Sequence, residues 1–337
     1  MIVKKIKKSR QEKDISQDRH LKLADLSLNT IVNIESGVNL NPTIKTLNKI
    51  ANTLDVKEEN YMQRRPEELY LELMKKTLSF ILWPEPAIPI DTFNYQRSPI
   101  KRLFVSFVSR VLKYRKLQLV QERSFSIAQI EEGQICSGYA DTMIGLKRLD
   151  NLQFSIETVI REDVQGDLIE TGVWRGGACI FIRAVLAAYG IENRKVFVAD
   201  SFEGLPKPDP ERFPADKGNK LYTHTFFAVP QDEVKNNFKK YGLLDDKVVF
   251  LKGWFKDTLP NAPIDNLAIL RLDGDLYGST MDALNNLYPK LSKGGFCIID
   301  DYALFGCKRA VDDYRAQYKI DTEMKEVDWT CRYWRKE

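Results

Sequence analysis

Four aspartates crowd two short stretches of the chain: LRLDGDLYGST carries Asp273 and Asp275, and GGFCIIDDY carries Asp300 and Asp301. Each stretch opens with an apolar run that reads as a buried strand and ends at its acids, so neighbouring strand ends would bring Asp273, Asp300 and Asp301 together. Three converging carboxylates repel one another and resist ionisation unless a hard divalent cation neutralises them. An all-oxygen donor set of this kind favours magnesium. Asp275, two residues past Asp273, is open to two readings: a substitute ligand, or a residue that orients the following turn.

A second constellation lies upstream. In GDLIETGVWRGGA an apolar run ends in Glu170, Thr171, Gly172, Val173, Trp174, Arg175, Gly176 and Gly177, and an apolar helix-length stretch over 178–188 follows. Glycines here let the backbone turn tightly and approach a ligand closely. The free amides of the following helix start suit a carboxylate. VFVADSFEGLP then sets Asp200 at the next strand end, where an acid can accept from both hydroxyls of a ribose. Because ETGVWRGG lacks the GxGxxG spacing, a nicotinamide dinucleotide fits less well than S-adenosylmethionine. Trp174 and Trp254 read equally well as cofactor walls and as packing residues.

The elements that must position these residues are visible as a rhythm. GDLIETGV, KVFVADSF, KVVFLKGW, LAILRLDGD and GGFCIIDDY are short apolar runs separated by helix-length segments, the pattern of an α/β protein with a parallel, Rossmann-like sheet wound with helices. This domain is expected over 140–337. Residues 63–139 read as a linker and helical cap: amphipathic PEELYLELMKKTLSFIL, the prolines of WPEPAIP, then basic and apolar IKRLFVSFVSRVLKYRKLQLV. Residues 1–62 read as a small all-α domain, with helix starts at Ser16 and Ser27 and a third at Pro42 after SGVNLN.

Composition sets the outer limits. A chain of 337 residues suits two compact units and a connector. Its 43% hydrophobic and 29% charged residues exclude disordered and fibrous classes. The apolar run over 180–188 is broken by Arg183 and falls far short of the roughly 20 residues of a membrane span. MIVKKIKKSR has no apolar stretch of the secretory kind. Five cysteines without CxxC spacing argue against a disulfide framework or a zinc site. A cytoplasmic protein is therefore expected. The net charge of +4 is uneven, since residues 1–66 hold 13 Lys+Arg against 8 Asp+Glu.

In order and spacing, TMIGLKRLDN over 142–151, GDLIETGVWRGGA, ADSFEGLP, FLKGWFKDTLP, LRLDGDLYGST, and GGFCIIDDY followed by CKRAVDDYR resemble the macrocin O-methyltransferase family. The resemblance extends over 67–337 and is strongest over 140–320. It implies methylation, dependent on S-adenosylmethionine and magnesium, of sugar hydroxyls on macrolide and aminocoumarin antibiotics. Carried onto matching positions, it implies that Glu170, Thr171, Gly172, Val173, Trp174, Arg175, Gly176, Asp200 and Ser201 hold the cofactor, with Thr142 and Met143 closing over it. It also implies a metal on Asp273, Asp300 and Asp301. Asp273, at once ligand and neighbour of the acceptor hydroxyl, is the expected proton acceptor; His224 in LYTHTFF is the alternative. The related catechol methyltransferases place a lysine three residues beyond the first metal aspartate, where this chain has Leu276.

IKKSRQEKDISQDRHLKLADLSLNTIVNIESGVNLNPTIKTLNKIANTLDV resembles the Xre-type, lambda-repressor-like helix-turn-helix across residues 3–60. That implies a recognition helix starting near Ser27, with Asn29, Thr30 and Asn33 at base edges and nearby Lys and Arg on phosphates. Glu35 and Gly37 fit the helix end. His20 and Leu21 depart from the family's Leu-Ala, which predicts altered packing. The expected partners are a glycosylated small-molecule acceptor, DNA, and a second copy of the chain. A rival reading is a transcription regulator that uses the methyltransferase-like domain as a metabolite sensor; the aspartate trio favours an enzyme.

Overall fold

The computed structural model describes residues 65–90, 98–122 and 125–337, so the recognition positions Asn29, Thr30 and Asn33 lie outside the described residues. A small antiparallel ribbon, β1 (Ile88–Pro89) with β2 (Val120–Gln121), precedes the main sheet. The sheet's strands are β3 (Asp167–Thr171), β4 (Val196–Asp200), β5 (Val248–Lys252), β6 (Leu267–Leu272), β7 (Leu291–Ile299), β8 (Lys325–Glu326) and β9 (Arg332–Arg335). The helices are α1 (Pro66–Leu78), α2 (Pro99–Tyr114), α3 (Ile127–Glu131), α4 (Leu146–Arg161), α5 (Gly177–Ala188), α6 (Gln231–Lys240), α7 (Phe255–Thr258), α8 (Tyr277–Leu287) and α9 (Phe305–Tyr318).

The seven strands run in the order β5-β4-β3-β6-β7-β9-β8. The first five are parallel, β9 returns antiparallel to β7, and β8 pairs antiparallel with β9. Helices cover both faces, which is why VFVAD and LAILRL are apolar almost without interruption. On one face, Leu149, Leu152 and Ile156 of α4 and Ile180, Phe181 and Ala184 of α5 pack on Leu168, Val198 and Ile269. On the other, Leu284 and Leu287 of α8 and Val311 and Tyr314 of α9 pack on Ile169, Phe197 and Leu270. Leu71, Met74 and Leu78 of α1 join the first of these cores. The compact unit spans Tyr70–Glu337.

Register decides what meets at the edge. Thr171 pairs with Ala199 on one side and Leu272 on the other, and Leu272 pairs with Ile299. The residues that follow these strand ends, Gly172, Asp273 and Asp300, therefore sit level with Asp200. The hydrogen-bond ladder runs on into them: Gly172 N donates to the Ala199 carbonyl at 2.8 Å, Asp273 N to Thr171 at 2.9 Å and Asp300 N to Leu272 at 2.8 Å. The sheet reverses its winding between β3 and β6, and ligands of such sheets bind at the carboxyl ends beside that reversal. Among the described residues no helix is long and apolar enough to cross a membrane.

Candidate active site

A cavity of about 410 Å³ opens at this carboxyl edge. Gly172 and Trp174 line it after β3, Asp200 and Ser201 at β4, Trp254, Phe255 and Lys256 after β5, and Asp273, Gly274, Asp275 and Leu276 after β6. Met143 enters from the segment ahead of α4, and residues from Gly204 to Asp216 supply a further wall. Gly172 is required where it stands. Its φ is +84°, and a Cβ there would fall 1.7 Å from the Asp273 carbonyl oxygen, inside any possible contact.

Trp174 holds a left-handed backbone (φ 48°), unusual for a bulky residue, at the turn into α5. Its Nε1 donates to the Phe226 carbonyl at 3.0 Å, and the Arg175 guanidinium lies 4.3 Å from its ring centroid. Arg175 Nη1 in turn donates to the carbonyls of Gly138 (3.0 Å) and Ala140 (2.6 Å), tying the segment before Thr142 and Met143 to the glycine loop. Asp200 is aimed by backbone: Oδ2 accepts from Val173 N and Oδ1 from Phe202 N, both at 2.7 Å. A carboxylate held in this way at the cavity wall offers acceptor oxygens of the kind a ribose diol needs. Burial pushes the Asp200 carboxyl up, and the amides oppose it.

The acids gather more tightly than the glycine loop alone requires. Asp273, Asp275 and Asp301 bring one carboxylate oxygen each to within 4.8 Å of the others. Asp275, at φ 56°, donates its backbone N–H to Asp301 Oδ2 at 3.1 Å. Burial, followed by the charge of Asp300, raises Asp273 to about 6 against the pull of Arg271. Burial and then Asp273 raise Asp275 to about 7. Asp301 is raised well above the ordinary carboxylate range by burial and by its three acidic neighbours. Three oxygen donors that resist sharing negative charge fit a hard divalent cation, which would relieve the repulsion.

A family model described as macrocin O-methyltransferase matches residues 67–336. The chain belongs to the macrocin O-methyltransferase family. This family member is 48% identical over 275 residues, 81% of its chain and 95% of the relative, to 8-demethyl-8-(2,3-dimethoxy-alpha-L-rhamnosyl)-tetracenomycin-C 4'-O-methyltransferase of Streptomyces olivaceus. It is 44% identical over 272 residues, 80% of its chain and 96% of the relative, to mycinamicin III 3''-O-methyltransferase of Micromonospora griseorubida. Its structure is similar to that of the O-methyltransferase NovP, with a TM-score of 0.68, 42% identity, and coverage of 80% of this chain and 99% of that one. The protein is an O-methyltransferase, and its relatives imply use of S-adenosylmethionine. A helix-turn-helix family model matches residues 6–60.

Within this family member, the residues expected at the site divide by where their side chains go. Asp300 does not stand with the other acids. It is 4% exposed, accepting from Arg148 Nη1 at 2.7 Å through Oδ2 and pairing with Arg271 Nη2 through Oδ1. Two buried arginines thus claim both of its oxygens, and Asp275 takes the third place in the cluster. Glu170 is also turned inward, paired with Arg271 and accepting from Cys179 Sγ at 2.8 Å, so it braces β3 rather than lining the cavity. Thr171 and Val173 contribute backbone only: the Thr171 carbonyl to Asp273 and the Val173 amide to Asp200. Gly176, at φ 86°, caps α5.

The Ser201 hydroxyl shapes its own turn, donating to the Gly204 carbonyl at 2.7 Å and accepting from Glu203 N at 3.0 Å. Thr142 is buried, and its Oγ1 accepts from Ile144 N at 3.4 Å, leaving Met143 as the one of that pair on the cavity wall. His224 is exposed and is not among the lining residues. Sequence reasoning passed over Arg271 and Arg148. Arg271 also reaches Asp273 Oδ2 at 3.0 Å, while Arg148 Nε donates to Asp328 at 2.6 Å. A signal was there, for an arginine inside the apolar strand LAILRL has to be paired.

Proposed function

We propose that this enzyme methylates a sugar hydroxyl of a glycosylated small molecule, using S-adenosylmethionine and a magnesium-type cation held by Asp273, Asp275 and Asp301. The observation that carries the reading is one cavity lined both by the amide-aimed acid Asp200 and by Asp273 and Asp275 of that oxygen-only cluster. The names of two relatives, a rhamnosyl-tetracenomycin 4'-O-methyltransferase and a mycinamicin III 3''-O-methyltransferase, agree with such an acceptor. When bound, the cofactor supplies an electrophilic methyl group, and the cation supplies a Lewis acid that lowers the pKa of the acceptor hydroxyl.

The chain's own residues do the rest. Gly172 and the start of α5 admit the methionine end of the cofactor, Asp200 takes its ribose, and Met143 and Trp174 form walls around it. Asp273 is the proposed proton acceptor: about a quarter of its side chain is open, and it lines the cavity in which the acceptor hydroxyl would lie. Leu276, where related enzymes carry a lysine, leaves an apolar wall with Phe255. Methyl transfer to the rhamnosylated tetracenomycin in its relative's name, compared with the sugar-free aglycone, tests the reading. Label should enter only the glycosylated compound; equal labelling of the aglycone would contradict the sugar assignment.

Asp200→Ala is expected to weaken binding of S-adenosylhomocysteine by about 1–3 kcal/mol, the scale of hydrogen bonds to a charged group. Calorimetry showing unchanged affinity would place the ribose elsewhere.

The match over residues 6–60 supports a second role, DNA binding by a dimer through Asn29, Thr30 and Asn33. Affinity should fall steeply with salt through counterion release. Asn33→Ala should cost about 1–3 kcal/mol on the preferred site and leave nonspecific binding intact. Selection from a random duplex library followed by a salt titration is the check. Failure to enrich any sequence would leave the domain a protein-contact module.

A further inference from the structure

The loop between β4 and α6, residues 201–230, forms much of the cavity wall with nothing more regular than three 3-10 turns, at Pro214–Asp216, Leu221–Thr223 and Thr225–Phe227. Its internal hydrogen bonds close short local turns, so how the segment sits against the rest of the domain depends on anchors. One anchor is the Trp174 indole on the Phe226 carbonyl described above. The other is a carboxylate. Asp216 is 3% exposed, with Oδ1 accepting from Tyr277 N at 2.7 Å and Oδ2 from Gly278 N at 3.0 Å. Those are the first two amides of α8, which begins directly after the loop of Asp273 to Leu276. The helix has no cap from its own chain start, Leu276, and Asp216 supplies one from a distant loop, where a negative charge is also favoured by the helix dipole.

The neighbouring packing is built around this contact. Gly306 of α9 leaves the space, since a Cβ there would lie 2.7 Å from Asp216 Oδ1. Phe213, on the same loop, sits over Gly278, where a Cβ would meet its ring at 2.8 Å. Phe213 and Tyr277 ring centroids are 5.7 Å apart. One carboxylate therefore fixes Arg212 and Phe213, which line the cavity, to the helix that follows the acidic cluster.

We propose that Asp216 is a positioning residue that latches the 201–230 loop onto α8 and so shapes the acceptor side of the cavity. It touches no reacting atom. The proposal rests on the methyltransfer reading for its kinetic consequence only; the latch itself is a property of the protein alone. It favours acceptor over cofactor because the contact lies beyond Asp273 and Asp275, away from Asp200.

Asp216→Ala, Asp216→Asn and Gly306→Ala in the full-length protein test it, with S-adenosylhomocysteine, the rhamnosylated tetracenomycin and trypsin as probes. Losing one helix cap corresponds to about a tenfold change. In Asp216→Ala and Gly306→Ala, trypsin should cleave after Lys217 and Lys220 about tenfold faster, and the acceptor KM should rise by about the same factor. Affinity for S-adenosylhomocysteine should stay within about twofold of wild type. Asp216→Asn keeps one acceptor oxygen and should recover most of the loss. Unchanged cleavage at both lysines, or a loss of S-adenosylhomocysteine affinity matching the rise in KM, would overturn the latch. A wild-type protein that binds S-adenosylhomocysteine but methylates nothing would overturn the proposed function instead, and the trypsin comparison would still decide the role of Asp216.

Discussion

Asp273→Ala and Asp301→Ala should each lower methyl transfer by about 10³-fold or more, the loss of a cation's several kcal/mol of charge stabilisation. Binding of S-adenosylhomocysteine should change little, because Asp200 and the glycine loop do not depend on the cluster. The pH dependence has a fixed sign. Asp273 and Asp275, raised from 3.8 to about 6 and about 7, hold protons in the folded metal-free protein that the unfolded chain has already released. Their contribution to stability is therefore present below about pH 4 and lost as pH rises through about 6 to 7. A cation has to displace those protons, so its affinity should fall as pH drops below about 7. Melting curves with and without magnesium from pH 5 to 8 test both: the magnesium-induced rise in Tm should grow with pH. A rise independent of pH would separate the cation from these acids.

Asp300→Ala should fail for a different reason. Arg148 and Arg271 are 7% and 1% exposed, and removing Asp300 leaves each short of a partner in the interior. Breaking a buried pair from one side costs about 3–5 kcal/mol, a large part of the stability of an ordinary domain. The variant is thus expected to unfold at much lower denaturant, with Asp300→Asn milder because it still accepts one hydrogen bond. Asp275→Ala should show the opposite profile, near-normal stability with weakened cation binding. If Asp300→Ala were as stable as wild type and defective only in binding magnesium, Asp300 would be a ligand after all.

The contrast between Asp300 and Asp275 shows what the sequence could and could not reveal. The five parallel strands were legible because burial on both faces leaves runs such as VFVAD and LAILRL almost purely apolar, and their ends marked the acids. The direction of each acid was not legible. Consecutive residues of an extended segment point to opposite sides, so Asp300 and Asp301 diverge, and which one faces the interior depends on Arg148 of α4, 152 positions away in sequence. Glu170 misled for the same reason, its partner Arg271 lying 101 positions away. Asp216 gave no signal, since its loop has no periodicity and its partners are backbone amides. The β8–β9 pair was missed because KE and RYWR are too short and too charged to read as strands. The helical spacing of Leu71, Met74 and Leu78 marks the apolar face of α1, but not the core that this face joins.

The most direct test is methyl transfer itself, followed with isotope-labelled S-adenosylmethionine and the rhamnosylated tetracenomycin, in protein stripped with EDTA and then titrated with magnesium. The account predicts no transfer in EDTA, recovery on adding magnesium, and the label located by NMR on a sugar oxygen. Full turnover in excess EDTA, or label on an aglycone atom, would contradict it.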